Sequence, residues 1–385
     1  MKVLKLVSKN AMRRKLRTFL TILGLALAVM AFGLIRTFIY AWYAGAREAS
    51  PDRIVTRHSA SIMFELPLAY KERILQIDGV KNVTFANWFG GYYVDPKNFF
   101  AQFALETSTW FEVYPEFLVE PDQMETFNAE RNAVIVGRGL ADRFGWKIGD
   151  AITMIGTIYS GDWDFVIRGI YTGKREDTDE TLFFFHYEYL DEWIQKEWPG
   201  YGSMVGWYAI KIDDPNRATE ISAAIDKRFD NSAAETKTET EKEFQMSFIQ
   251  MASAIIIGLK IISYLIIGVM LLVMVNTMVM TARERISENA FMRTLGFRGY
   301  HLVGLILGES LFIGVLGGIL GMILLTLVSK VVAVALSVYF PGFQADFLTY
   351  MMCIIGAFIV SLVASIFPIQ RALRIKIVDG LRVVD

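Results

Sequence analysis

The chain has 385 residues, 54% of them hydrophobic and 21% charged, with a mean hydropathy of +0.37. Stretches 19–43, 254–280, 302–338 and 350–367 hold most of the apolar excess, and each contains the ~18 apolar-dominated residues that a membrane-crossing helix needs. This excludes a purely soluble enzyme, and also an outer-membrane barrel, whose strands alternate every second residue.

Charge sets the expected topology. Residues 1–18 carry Lys2, Lys5, Lys9, Arg13, Arg14, Lys15 and Arg17 with no acid. The 281–300 loop adds Arg283, Arg285, Arg293 and Arg298 against Glu284 and Glu288, and the tail adds Arg371, Arg374, Lys376 and Arg382. The positive-inside bias places both termini and that loop in the cytoplasm and residues 44–250 outside. This outer segment holds 34 acidic and 21 basic residues, a net charge of −13, which excludes nucleic-acid binding by phosphate neutralisation. The one cysteine, Cys353, falls in the last apolar stretch, so the outer segment folds without disulfides. The first apolar run reaches Tyr43, past a signal core of about 7–15 residues, and is expected to be retained as a span.

The fold class expected is an α-helical membrane protein with four transmembrane helices plus a large α/β extracytoplasmic domain between helices 1 and 2. In chain order this gives a basic amphipathic helix 1–17, a first span with outer stalk 18–43, the α/β domain 44–240, and a stalk with the second span 241–280. A loop 281–300, a third span 301–338, a short outer loop 339–349, a fourth span 350–369 and a tail 370–385 follow. Within the α/β domain, 68–77 reads as helix and 80–86 as strand. Residues 133–136 read as a strand, 138–144 as a helical turn, and 151–158, 165–171, 182–185 and 208–212 as strands. Pro215 suits the start of an amphipathic helix over 216–229. The charged segment 235–243, free of Gly and Pro, reads as a helical lead into the second span.

Catalytic, cofactor and metal sites find no support. The Gly173-Lys174 pair lacks the glycine that a phosphate loop needs at position 168, which is Arg168. His58, His186 and His301 are scattered and have no cysteine partners; His186 reads as a satisfied strand residue. Asp162 and Asp164 flank Trp163 and read as solvated turn acids. The aromatic pairs Trp88-Phe89, Phe99-Phe100, Trp110-Phe111 and Trp207-Tyr208, with 183–185, either hold an apolar ligand or fill a core or interface.

Three features of the apolar half stand out. Glu309 lies inside the third span, where a charge costs about 2.5–3.5 kcal/mol; it is either a coupling residue or an acid paired with a nearby Arg or Lys. Gly304, Gly308, Gly314, Gly317, Gly318 and Gly321 form overlapping Gly-xxx-Gly pairs, which let helix backbones approach closely. The segment from Arg283 to Gly296 reads as one short helix, with Glu284 and Glu288 on one side and Ile286, Ala290 and Phe291 supplying apolar contacts.

Asn10-Ala-Met-Arg-Arg-Lys-Leu-Arg-Thr18, Arg283-Glu-Arg285 with Glu288 and Arg293-Thr-Leu-Gly296, and Ala133-Val-Ile-Val-Gly137 with Ile148-Gly-Asp150 occur in the order and topology of a known family. The chain resembles the MacB/FtsX-type permeases of ABC transporters, which include LolC/LolE-like membrane subunits. That resemblance implies a separate ABC ATPase in two copies, carrying the ATP and Mg, and a second permease copy or related paralogue. Arg283, Glu284, Arg285, Glu288, Phe291 and Arg293 would then form the ATPase-coupling segment. The chain itself would be no enzyme and would bind no cofactor. It would sit in the bacterial cytoplasmic membrane and act by mechanotransmission, exporting or extracting a lipidic, lipoprotein, peptide or drug substrate. The alternative implied is an FtsX-like relay that activates an extracytoplasmic cell-wall hydrolase, and a periplasmic adaptor is a further implied partner.

Overall fold

The computed structural model describes residues 12–175, 178–336, 340 and 343–374. The expected helix 1–17 and tail 370–385 therefore lie largely outside the described residues, as does part of the 339–349 loop. The chain forms two compact units.

The first unit contains four long helices, Lys15–Trp42, Ser253–Glu284, Gly299–Leu336 and Phe347–Arg374, with the short helix Ile286–Thr294 between the second and third. The shortest long helices have 28 residues, roughly 42 Å at 1.5 Å per residue, enough to cross a hydrocarbon layer of about 30 Å. Met270, Met274 and Met278 recur every four residues on one face of the second helix, which brings them onto the same side one turn apart. They pack into a shared core with Leu25 and Val29 of the first helix, Ile313 and Leu325 of the third, and Ala357, Val360 and Ala364 of the fourth. Most other apolar side chains of the second helix, among them Ile261, Leu265 and Leu272, are exposed, as a lipid-facing surface requires.

The second unit is the α/β domain. Its strands are β1 (Arg53–His58), β2 (Leu66–Pro67), β3 (Val80–Trp88), β4 (Gly91–Tyr93), β5 (Gln102–Leu105), β6 (Phe117–Leu118) and β7 (Ala133–Gly137). β8 (Ala151–Gly156), β9 (Gly161–Gly173), β10 (Phe183–His186), β11 (Met204–Val205), β12 (Trp207–Ile212) and β13 (Thr236–Thr240) complete the set. The large sheet runs β13-β1-β12-β3-β5-β10-β7-β9-β8-β4, with β6 on β9. β5 with β10 and β7 with β9 are parallel pairs; the other pairings of this sheet are antiparallel.

Successive strand side chains point to opposite faces, and Phe183, Phe184 and Phe185 show the consequence. Phe183 and Phe185 enter one core with Phe89, Trp146 and Phe165, while Phe184 enters another with Trp110, Phe127 and Tyr171. The aromatic run thus fills both faces of a central strand rather than lining a ligand cavity. Trp88 and Phe99 remain partly exposed. Helix Tyr187–Glu197 packs Tyr187, Leu190 and Ile194 inward, the spacing of one helical face. Helix Arg138–Phe144 ends at Gly145, whose φ of 70° lies in the left-handed region, where glycine carries no Cβ penalty.

The lead at 235–243 differs from the helical reading. Thr236–Thr240 is strand β13, antiparallel to β1, and only from Glu241 does a helix run, to Met251. Alternate threonines at 236, 238 and 240 give a period-two β-branched pattern that fits the pairing. A break at Ala252 then separates this helix from the second long helix.

Candidate functional site: the loop between the second and third long helices

The second long helix runs through Glu284 and stops at Arg285, whose φ of −107° and ψ of 18° leave helical geometry. A new helix, Ile286–Thr294, follows at once. The expected single helix from Arg283 is therefore two segments, and Glu284 and Glu288 sit on different ones. At its far end Phe297 N–H donates to Met292 O at 3.1 Å and Gly296 adopts a φ of 92°, a glycine cap that leaves four residues between the helix end at Thr294 and the third long helix at Gly299.

The acids of this segment are engaged within the chain. Glu284 accepts from Arg17 through both carboxylate oxygens, each at 3.0 Å, and Arg14 Nη1 lies 2.7 Å from its Oε1. Glu288 accepts from Arg13. Arg285 Nη1 donates to Glu309 Oε2 at 2.8 Å, and Arg293 Nη2 donates to Leu373 O at 3.1 Å. The basic residues around the start of the first long helix and the acids of the loop are thus mutual partners, a complementarity visible in sequence only as opposite charge runs. Glu309 is thus buried with Arg285 as a partner. Arg283 is exposed. So are the apolar side chains Phe291 at 57%, Leu295 at 63% and Phe297 at 44%, the first on the short helix and the other two just past its end.

The glycines of the third long helix divide between two neighbours. A Cβ on Gly317 would lie 2.7 Å from Leu25 Cδ2, and one on Gly321 would lie 2.8 Å from Ala26 O, so these two admit the first long helix. Gly314 and Gly318 face Ser361 and Ala357 of the fourth. Gly304 meets nothing within 4 Å, and Gly308 is half-buried. Close packing through Gly314, Gly317, Gly318 and Gly321 is therefore satisfied inside one chain.

Elsewhere among the described residues, the polar side chains singled out in the sequence are scattered or engaged in local bonds. His186 is buried with Nε2 2.8 Å from Phe127 O. Burial pushes its pKa below the usual 6.5, against the raising effects of that bond and of Glu188. Asp164 accepts from Thr153 on the exposed β8–β9 hairpin, beside exposed Asp162. Among the described residues, no group of three or more His, Cys, Asp or Glu side chains is placed to hold a metal ion.

Residues 18–228 match the MacB-like periplasmic core domain, and residues 260–377 match the FtsX-like permease C-terminal region. An uncharacterized ABC transporter permease of Methanocaldococcus jannaschii is 22% identical over 97% of this chain and 96% of its own length. The lipoprotein-releasing system transmembrane protein LolE of Haemophilus influenzae is 22% identical over 64% of each chain. Among solved structures, the periplasmic region of MacB from Actinobacillus actinomycetemcomitans aligns with a TM-score of 0.38 and 11% identity, over 52% of this chain and 94% of that one. The extracellular domain of the ABC-type transporter YknZ from Gram-positive bacteria aligns with a TM-score of 0.36 and 10% identity, over 49% of this chain and all of that one. With a periplasmic core match over more than half its length and a permease match over its last three long helices, this membrane protein belongs to the MacB/FtsX-type permeases of ABC transporters.

Proposed function

We propose that the chain is the membrane subunit through which a separate ABC ATPase, bound on the cytoplasmic side with its ATP and Mg, drives movement of the α/β domain outside. Two ATPase copies would serve two permease chains, this one with a second copy or a paralogue. The work done is export or extraction of a lipidic, lipoprotein, peptide or drug cargo. The observation that carries this reading is the 286–297 segment, a short helix with the turn that caps it, which leaves Phe291, Leu295 and Phe297 exposed. Large apolar side chains clustered on a solvent-facing surface mark a protein contact. The match over the last three long helices is to a permease family, which agrees with a chain that hydrolyses nothing itself.

Co-purification in nanodiscs with the ABC ATPase encoded beside this chain tests the reading. Wild type is expected to retain the ATPase, and Phe291→Asp to lose at least about tenfold in affinity, as truncation of a central apolar anchor does. Equal retention by Phe291→Asp would remove this face from the interface. Failure of wild type to retain any ATPase would contradict the coupling role itself.

A further inference from the structure

We propose that Arg285 and Glu309 are positioning residues that hand movement of the Ile286–Thr294 helix to the third long helix, while the docking contact is left to the exposed apolar side chains. This rests on the reading of that loop as the ATPase-coupling segment.

Among the described residues, ionic contacts of Glu284, Arg285 and Glu288 tie the loop to the rest of the helical unit, and they are not equivalent. Arg13–Glu288 is exposed on both sides, and Glu284 faces Arg14 and Arg17 at a partly open surface. Exposed pairs carry little load, since water and salt compete for both partners. Arg285 and Glu309 have side chains only 18% and 8% exposed. A shielded pair resists separation because neither charge has enough water to replace its partner.

Its placement makes it a transmission point. Arg285 is the residue at which the second long helix stops and the loop helix starts, so rotation of the loop helix pivots there. The guanidinium reaches across 24 residues of sequence to the third long helix. The next residue on that helix, Ser310, donates from Oγ to Ser361 O at 2.6 Å, so the contact continues to the fourth. The pair also lines a half-open pocket of about 50 Å³ beside Met278, Thr281, Glu288 and Leu302, space for a few waters. Stability alone does not explain the pair, because apolar residues of similar volume commonly replace buried ion pairs without loss.

The test uses the full chain in nanodiscs with the ABC ATPase encoded beside it, comparing wild type, Glu309→Gln, the charge swap Arg285→Glu with Glu309→Arg, and Phe291→Asp. Glu309→Gln is expected to bind the ATPase within about twofold of wild type, yet to cut the permease-dependent change in ATP turnover about fivefold or more, the size of a typical coupling between sites. The swap is expected to restore most of that response. The proposal is overturned if Glu309→Gln loses ATPase binding as Phe291→Asp does, or if it keeps the full turnover response. Hydrogen exchange of the chain alone separates this from the underlying reading. Amides of 286–294 are expected to exchange faster in Glu309→Gln and to recover in the swap, whether or not any ATPase binds. Unchanged exchange there overturns the link by itself, whereas faster exchange with no ATPase bound to wild type removes the coupling reading and leaves the link standing.

Discussion

Arg53 Nε donates to Glu241 Oε2 at 2.8 Å, so the first residue of β1 is fastened to the first residue of the helix that ends the α/β domain. Arg53 Nη2 reaches Glu116 Oε1 at 2.6 Å, Nη1 reaches Val113 O at 2.8 Å, and the guanidinium lies 3.9 Å from the centroid of the Tyr114 ring. Glu241 also accepts from Ser50 N at 2.8 Å. The place where the chain enters the domain and the place where it leaves are thus one buried polar cluster.

Removing one member of that cluster strands the other. Arg53 is 3% exposed and Glu241 5%, and breaking a buried pair from one side costs about 3–5 kcal/mol. Arg53→Met is expected to lower the melting temperature of the α/β domain markedly, read by near-ultraviolet circular dichroism of the full chain. Adding Glu241→Met is expected to recover part of the loss. A loss below about 1 kcal/mol, the worth of a surface pair, would show the cluster to be solvated.

The two classes of glycine in the third long helix should respond differently to a single methyl group. Gly321→Ala places a Cβ 2.8 Å from the backbone oxygen of Ala26, which cannot rotate away, and overpacking of this kind costs about 1–3 kcal/mol. Gly304→Ala meets nothing within 4 Å and should stay within about 0.5 kcal/mol of wild type. Unfolding midpoints in a mild detergent, titrated with denaturing detergent, compare the two; equal midpoints would contradict the packing assigned to Gly321.

His186 sets a pH dependence of the α/β domain. Burial lowers its folded pKa below 6.5, so protonation costs more in the folded than in the unfolded state. Its stabilising contribution is fully present above about pH 6.5 and is lost as pH falls from there through the lowered folded value. Thermal melts are expected to drop between about pH 7.5 and pH 5.5, and His186→Gln, which keeps a donor for Phe127 O, should flatten that drop. An unchanged slope in His186→Gln would assign the pH dependence to other groups.

What could be read from sequence divides along physical lines. Apolar runs announce membrane helices because nothing else needs so many consecutive apolar residues, and the third long helix, Gly299–Leu336, was marked in this way. β7 and β10 were legible because Ala133-Val-Ile-Val136 and the phenylalanines at 183–185 are buried on both faces. β1 was not. Arg53, Thr56 and Arg57 look like surface residues until Glu241, Thr238 and Glu239, nearly two hundred positions later, supply their partners. β5 was hidden similarly, since its buried Gln102 is satisfied by both backbone groups of Gly91. In the loop, residue types pointed to the segment, but the break at Arg285 and the choice of Glu309 as its partner depend on where a separate helix passes. Sequence spacing does not carry that information.

Hydrogen exchange of the permease–ATPase complex tests the central claim most directly, comparing nucleotide-free with ATP-trapped states across β13 and helix Glu241–Met251. If ATP-driven movement reaches the α/β domain, protection in these elements changes between the two states while strands such as β7 stay constant. Identical exchange in both states, with the ATPase bound and turning over, would contradict transmission through this chain.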